Sequence, residues 1–333
     1  MKRQSLYFLG PNRVEIKEEE LTPPDSGQVQ VRALISLISS GTELLIYKGQ
    51  APQNLQADTS IASLSGSLAF PLKYGYSMVG EVTQIGAEVE ENWNNRKVFA
   101  FNPHETVFNA DVSSLQPLPE HSAVEDAAFL PNMETAVSLV QDAKPLIGEK
   151  VVILGQGIVG LLVTALLNKL PVDVYSVDSI ESRRDFSKQL GARDSFAPET
   201  VAELKDRDGN GGADLVYELS GNPEALNMAL DLVGDYGRIV VGSWYGTRSA
   251  AVTFGEKFHR GHIRIISSQV SQIEPALRGR WDKERRFELA WRWLQEIKPS
   301  QLVTHRFPFT QAADAYKLLA QEHQDALGVL LKY

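Results

Sequence analysis

Three glycines at the spacing Gly155-x-Gly157-x-x-Gly160 stand between a short apolar run, Val151 to Leu154, and an apolar helical segment, Ile158 to Leu170. A second run, Val172 to Val177, then ends on Asp178. The chemistry this spacing supports is the grip of a dinucleotide. Gly155 makes the turn, Gly157 lets the backbone approach a pyrophosphate, and Gly160 lets the helix pack on its strand. The phosphates would sit at the helix start, where unpaired N–H groups point outward, so Gln156, Ile158 and Val159 join the cofactor set. Asp178 can accept hydrogen bonds from both adenosine ribose hydroxyls and would repel a 2′-phosphate, so NAD is favoured over NADP. Arg183 and Arg184 either hold such a phosphate or open the helix Glu181–Leu190 and lie along the adenosine edge. Glycines alone mark ordinary turns; the flanking strand, helix and acid make this motif specific.

The elements that must position this motif alternate strand and helix. A helix is expected over Met133–Asp142, then the nucleotide unit, then Glu181–Leu190 closed by Gly191 at its C′ position. Ala213 to Leu219 reads as a strand ending at Ser220-Gly221, and Pro223–Val233 as a helix with proline in its first turn. Gly237 to Ser243 and Ile263 to Ser268 read as further strands. Such alternation builds a parallel sheet, whose ligands sit at the carboxyl ends of the strands. Ser220, Gly221, Gly242, Ser243, Trp244, Ser268 and Gln269 occupy those ends. Before residue 130 the rhythm differs: Val29–Ala33, Val79–Ile85 and Lys97–Phe101 are short alternating strands, and Pro23–Gly27 is turn chemistry. Gln50–Phe70 has weak periodicity and reads as a long loop or short helix over a site. In the tail, Glu284–Ile297 carries Phe287, Ala290, Trp291 and Leu294 at helical spacing, a core stripe. A helix, Ala312–Leu319, precedes a last strand, Gly328–Lys332, which can return to the first domain's sheet and make that domain discontinuous.

With 333 residues, the chain is long enough for two domains. A net charge of −9 gives a nucleic-acid role no electrostatic support. The absence of cysteine removes disulfides, thiolate zinc sites, iron–sulfur clusters and a cysteine nucleophile together. The start lacks the apolar core of a signal peptide, and no run approaches the ~20 residues of a membrane span, so the expected location is cytoplasmic.

The whole chain resembles the medium-chain dehydrogenase/reductase superfamily. The resemblance is carried by Ser40-Gly41-Thr42-Glu43, Gly75-Tyr76-Ser77-Met78-Val79-Gly80-Glu81-Val82, Gly86, Thr135-Ala136, the fingerprint glycines and Gly237-Arg238-Ile239-Val240. It implies an α/β fold: a GroES-like β-barrel domain at 1–131 and 269–333, and an inserted Rossmann domain with a doubly wound parallel sheet at 132–268. It also implies that Thr135 contacts the nicotinamide and that the protein is a homodimer paired through the strand near Ile263–Ser268. Zinc-dependent members carry a cysteine, a histidine and a third ligand where this chain has Ser40, Tyr76 and Pro131. None offers the thiolate or imidazole zinc binds well, so no catalytic metal is expected. Ser-Gly-Thr-Glu with Gly-Tyr in place of Gly-His is similar to the bacteriochlorophyllide dehydrogenase branch, which acts on a hydroxyethyl group of a chlorin ring.

Without a metal, charge on the substrate oxygen falls to hydrogen-bond donors. Ser40, Thr42 and Tyr76 surround the vacated position, and Tyr76 with Thr42 is expected to bond the reacting oxygen and relay its proton; alternatively Tyr76 only fills the cavity. A tyrosine is a poor base at neutral pH without a nearby cation; Lys73 is three residues away, but a β context need not bring the two together. His104, after a strand bordering the cleft in this family, is a proton-donor candidate or a solvated loop residue. Glu43 and Glu134 are further candidates, Glu134 more simply as a helix cap. Trp244 and Tyr245 either wall an aromatic substrate or pack. The basic cluster Arg278, Arg280, Lys283, Arg285 and Arg286 receives an anionic substrate or faces water. The expectation is an NAD-dependent, zinc-independent oxidoreductase joining a secondary alcohol and a ketone. Its rivals are a quinone or enone reductase of the same fold, a methyltransferase and a catalytically silent dinucleotide sensor.

Overall fold

The first twenty residues form a hairpin that the sequence pattern did not announce. In the computed structural model, which describes residues 1–58, 61–206, 211–321 and 325–333, β1 (Lys2–Gly10) pairs antiparallel with β2 (Arg13–Glu20). The turn places Asn12 at φ +58°, a region asparagine tolerates. The pattern was masked because β2 is almost wholly charged on its outer face, and only Val14 and Ile16 pack inward.

The chain divides into two units, Met1–Pro131 with Trp293–Tyr333, and Asn132–Arg292. In the first, β3 (Gln28–Leu37) is the longest strand. Around it stand β4 (Leu72–Lys73), β5 (Met78–Ile85), β6 (Lys97–Ala100), β7 (Val107–Asp111) and β8 (Leu115–Pro117). Gln50–Phe70 holds only a 3-10 turn at Ala62–Leu64, and part of the segment lies outside the described residues.

In the second unit, β9 (Lys150–Leu154), β10 (Asp173–Val177), β11 (Asp194–Phe196), β12 (Ala213–Glu218), β13 (Val233–Val241) and β14 (Arg264–Ser267) form one sheet in the order β11-β10-β9-β12-β13-β14. Every pair is parallel. Counted within the unit the order is 3-2-1-4-5-6, the doubly wound arrangement of dinucleotide-binding folds. Its core joins Val152, Leu154, Val177, Val216 and Ile239 from the sheet to Ala229 and Leu230 of the helix Ala225–Leu232.

The chain then returns to the first unit. There β15 (Val303–Pro308) and β16 (Gly328–Lys332) complete a seven-stranded sheet, β15-β16-β3-β5-β6-β8 with β7 also on β3. The last strand pairs antiparallel with β3 through Leu330–Leu37, Leu331–Ser36 and Lys332–Ile35. The first unit is therefore discontinuous in sequence, and the overall class is the expected α/β one, with a GroES-like barrel unit and a Rossmann unit. The return point lies at 292/293, not at 268/269. The residues between are held to the helix Leu130–Ala143 by Arg286 and Lys283, which both reach Glu134. Ala290, Trp291 and Leu294 are buried, as their stripe implied. Among the described residues, no helix is long and apolar enough to cross a membrane.

Candidate active site

Each fingerprint glycine meets a different demand. Gly155 has φ +92°, and a Cβ there would stand 2.5 Å from Ser220 Cα, so the turn after β9 lies directly against the end of β12. A Cβ on Gly160 would lie 2.0 Å from the Gly155 carbonyl oxygen, whereas one on Gly157 would meet open space. The helix Ile158–Leu167 starts there with no side-chain cap, leaving its first N–H groups for an anion. Ile158 is buried and Val159 half-buried, so both contribute backbone rather than side chain to such a grip. Gln156 faces inward: its Nε2 donates to the Gly155 carbonyl at 3.2 Å, and its Oε1 accepts from Thr164 Oγ1 at 3.0 Å. The Gln156 backbone N–H donates to Asp178 Oδ2 at 2.7 Å, and the Ile180 N–H to Oδ1 at 2.9 Å. Asp178 is thereby fixed beside the glycine turn. Arg184 donates to its carbonyl at 2.8 Å.

The carboxyl ends of β12 and β13 meet around a residue that the sequence pattern did not single out. Glu218 is fully buried. It accepts from the Ser220 N–H at 2.9 Å and from the Tyr245 hydroxyl at 2.5 Å, and its carbonyl accepts from Gly242 N–H at 3.1 Å. Gly221 N–H donates to Ser243 Oγ at 2.9 Å. A lone acid in the apolar run Ala-Asp-Leu-Val-Tyr-Glu-Leu was the available signal. Tyr245 is thus tied down, while Trp244 remains 38% exposed. Ser268 donates to Asp142 at 2.6 Å, and Gln269 turns onto Ser271. Thr135 lies half-buried on the helix Leu130–Ala143. The glycine cradle, the uncapped helix and the fixed acid fit a dinucleotide.

In the first unit, the Tyr76 hydroxyl lies 2.5 Å from Ser39 Oγ and donates to Thr42 Oγ1 at 3.3 Å. Ser40, half-buried beside them, does not make the contact; Ser39 does. Behind this trio Glu43 and His104 have no exposed surface. His104 Nε2 is 3.0 Å from Glu43 Oε2, and its Nδ1 is 2.7 Å from Ser36 Oγ, which reaches the Tyr333 hydroxyl at 2.9 Å. Glu43 Oε1 accepts from the Ser39 N–H at 2.8 Å, and Oε2 also accepts from the Tyr316 hydroxyl. Burial pushes the Tyr76 hydroxyl pKa above its ordinary 10, against the opposing hydrogen bonds of Ser39 and Thr42. Tyr76 is therefore a neutral donor.

Residues 159–289 match the family model described as zinc-binding dehydrogenase. The D-guloside 3-dehydrogenase of Escherichia coli K12 is 23% identical over 340 residues, covering 97% of each chain. The (R,R)-butanediol dehydrogenase of Bacillus subtilis is 28% identical over 260 residues, 69% of this chain and 73% of its own. A crystal structure of the 2R,3R-butanediol dehydrogenase from that organism aligns with TM-score 0.80 at 19% identity, covering 99% of each chain. The family model and these relatives support the medium-chain dehydrogenase/reductase superfamily. An alcohol dehydrogenase from Escherichia coli CFT073, solved with NADH, shares the fold at TM-score 0.79 and 20% identity, covering 100% of this chain and 99% of its own.

The donor set departs from the one the resemblance implies. Ser40, Tyr76 and Pro131 stand where the zinc ligands of relatives are expected, and no described group of three His, Cys, Asp or Glu residues is disposed to hold a metal. The nearest imidazole and carboxylate, His104 and Glu43, are already satisfied by each other and by Ser36, Tyr316 and Ser39. These residues do not fit a zinc ion. Three expectations change as well, and the place of Lys73 is fixed. His104 is neither solvated nor exposed to a cleft, because the ring is packed under Gly75, where a Cβ would stand 2.7 Å from it. Lys73 does not reach Tyr76 but pairs with Glu105 at 3.2 Å and Glu19 at 3.5 Å. Glu134 is no helix cap; it binds Arg286 at 2.8 Å, with both side chains buried. The basic cluster disperses: Arg286 is internal, Arg285 stacks on Trp281 at 4.1 Å, and Arg278 bonds the Ile273 carbonyl.

Proposed function

We propose that this chain is a zinc-independent, NAD(H)-dependent oxidoreductase that transfers hydride between nicotinamide and a secondary alcohol or ketone. The observation that carries the reading is the hydroxyl cluster of Tyr76, Thr42 and Ser39, in which Tyr76 stands where the resemblance implies a zinc ligand. The nicotinamide, when bound, takes or gives the hydride. The chain's own task is to stabilise the substrate oxygen as charge builds on it and to supply or remove one proton. A neutral, partly buried phenol that turns its one O–H from Thr42 to the substrate, while Ser39 donates to it, is a suited donor for that oxygen. The names of relatives acting on a guloside and on butanediol favour a small polyhydroxylated alcohol over a chlorin. Asp178, held by two backbone N–H groups, favours NAD over NADP.

Gly155, Gln156, Gly157, Ile158, Val159, Gly160, Asp178, Arg183, Thr135, Ser220, Gly221, Gly242, Ser243, Trp244, Ser268 and Gln269 are the cofactor residues in this reading. We assign the working protein to the cytoplasm, as a barrel domain interrupted by a Rossmann domain. It pairs as a homodimer through β14, an edge strand of its sheet. The test is NADH and NADPH oxidation against a panel of ketones, quinones and enones, and NAD reduction with diols and sugars. The reading expects alcohol–ketone turnover, insensitive to zinc chelators, and a loss of about 100-fold in kcat in Tyr76→Phe. Tight NADH binding without turnover on any substrate would favour a sensor. Turnover confined to quinones or enones would favour the reductase.

A further inference from the structure

Glu43 is a carboxylate without exposed surface whose two oxygens are both occupied. Its Oε1 takes the Ser39 N–H, while the Glu43 N–H in turn donates to the Ser39 carbonyl at 2.8 Å. The two residues therefore clasp each other across the turn that leads from β3 into the helix Thr42–Tyr47. A carboxylate only accepts, so the ring proton of His104 lies on Nε2 when it bonds Oε2. Nδ1 faces Ser36 Oγ, which is hydrogen-bonded in turn to the Tyr333 hydroxyl. Tyr316 reaches it from the helix Ala312–Ala320, where its ring stacks on Tyr47 at 5.4 Å and meets Phe8 edge-on at 5.2 Å.

The clasp matters because of what Ser39 and Thr42 do with their other ends. Ser39 Oγ and Thr42 Oγ1 flank the Tyr76 hydroxyl, and Glu43 bonds the Ser39 backbone and directly follows Thr42 in the chain. We propose that Ser39, rather than Ser40, is the third hydroxyl of the site, and that Glu43 is the positioning residue that aims Tyr76. It acts by locking the Ser39–Thr42 turn against the interior pair of His104 and Tyr316. This rests on the reading of Tyr76 as the donor to the substrate oxygen. Glu43 touches no substrate; it fixes the two hydroxyls that fix the donor. His104, expected as a proton donor, serves here as the buried support of the carboxylate.

The test uses the full-length protein with Ser39→Ala, Ser40→Ala, Glu43→Gln, Tyr316→Phe and Tyr76→Phe, each alone, and Ser39→Ala and Glu43→Gln each combined with Tyr76→Phe. Ser39→Ala and Glu43→Gln should each lower kcat about 10-fold or more with the cofactor KM unmoved, while Ser40→Ala stays within about 3-fold of the parent. Added to Tyr76→Phe, the first two should cost nothing further, because their effect passes through that hydroxyl. Tyrosine carrying an isotope label at the ring carbon bearing the hydroxyl gives a readout independent of turnover, the Tyr76 resonance being identified by its loss in Tyr76→Phe. That resonance should shift in Ser39→Ala and Glu43→Gln but not in Ser40→Ala. An unmoved resonance in folded Ser39→Ala, a loss in Ser40→Ala as large as in Ser39→Ala, or full additivity with Tyr76→Phe overturns the inference. Should Glu43→Gln fail to fold, Tyr316→Phe, which removes one donor to the same carboxylate, must shift the resonance in its place. A moving resonance combined with a fully active Tyr76→Phe would leave the network standing and sink the functional reading instead.

Discussion

Tyr76 and Asp178 do opposite jobs with their protons. Burial raises the Tyr76 pKa above 10, so the phenol keeps its proton across the neutral range and acts as a donor. Its ionisation should leave no limb in the kcat–pH profile below about pH 9. A limb there that vanishes in Tyr76→Phe would show the residue titrating as a base. Asp178 offers its carboxylate already oriented by the Gln156 and Ile180 N–H groups. Asp178→Asn exchanges one acceptor oxygen for a donor, which conflicts with those N–H groups and removes the charge that excludes a 2′-phosphate. The expected result is about a 10-fold weaker NAD affinity and a smaller NAD-to-NADP preference, measured by titration of both cofactors. The acid was legible in the sequence because it closes a run next in order after the glycines. Ser39 was not, because one step of register in a turn decides which of two adjacent serines meets Tyr76.

At the scale of elements, the contact between the helix Ile158–Leu167 and the turn after β9 leaves no room at Gly160. Gly160→Val would push its side chain into the Gly155 carbonyl. It should abolish measurable dinucleotide binding and cost about 1–3 kcal/mol of stability in a urea titration, since neither the turn nor the helix can give way cheaply. The segment Gln269–Arg292 is held by the buried Arg286–Glu134 pair, with Arg286 also bonding Ser138 and the Gln272 carbonyl. Arg286→Met would leave Glu134 interior with only the half-exposed Lys283 for company. A loss of about 3 kcal/mol or more is expected in the same titration; a loss below about 1 kcal/mol would mean the pair contributes little. Arg286 had been grouped by sequence with four neighbouring cations. Helical spacing separates that one side chain from its companions and turns it inward.

Over the whole molecule, acid should loosen the first unit at the hairpin. Glu19 is partly buried, which raises its pKa, but hydrogen bonds from Tyr7 and Ser5 and the charges of Lys73 and Arg3 outweigh that and hold it at about 2. The unfolded chain, with an ordinary value of 4.5, binds the proton first. This contribution is therefore complete above pH 4.5 and lost as pH falls toward about 2. Glu19→Gln should accordingly show a smaller fall in Tm over that window than the parent, read by thermal scans at successive pH values. Sequence alone determined the parallel sheet, the glycine turn with its acid at the end of the next strand, and the absence of cysteine, because periodicity, spacing and composition are properties of neighbours along the chain. Only the tertiary structure decided which hydroxyls meet Tyr76, that His104 is interior, and that residues 36, 43, 104, 316 and 333 form one network. Those contacts join positions far apart in sequence, and a hydrogen bond depends on a few tenths of an ångström that no pattern of residue types encodes.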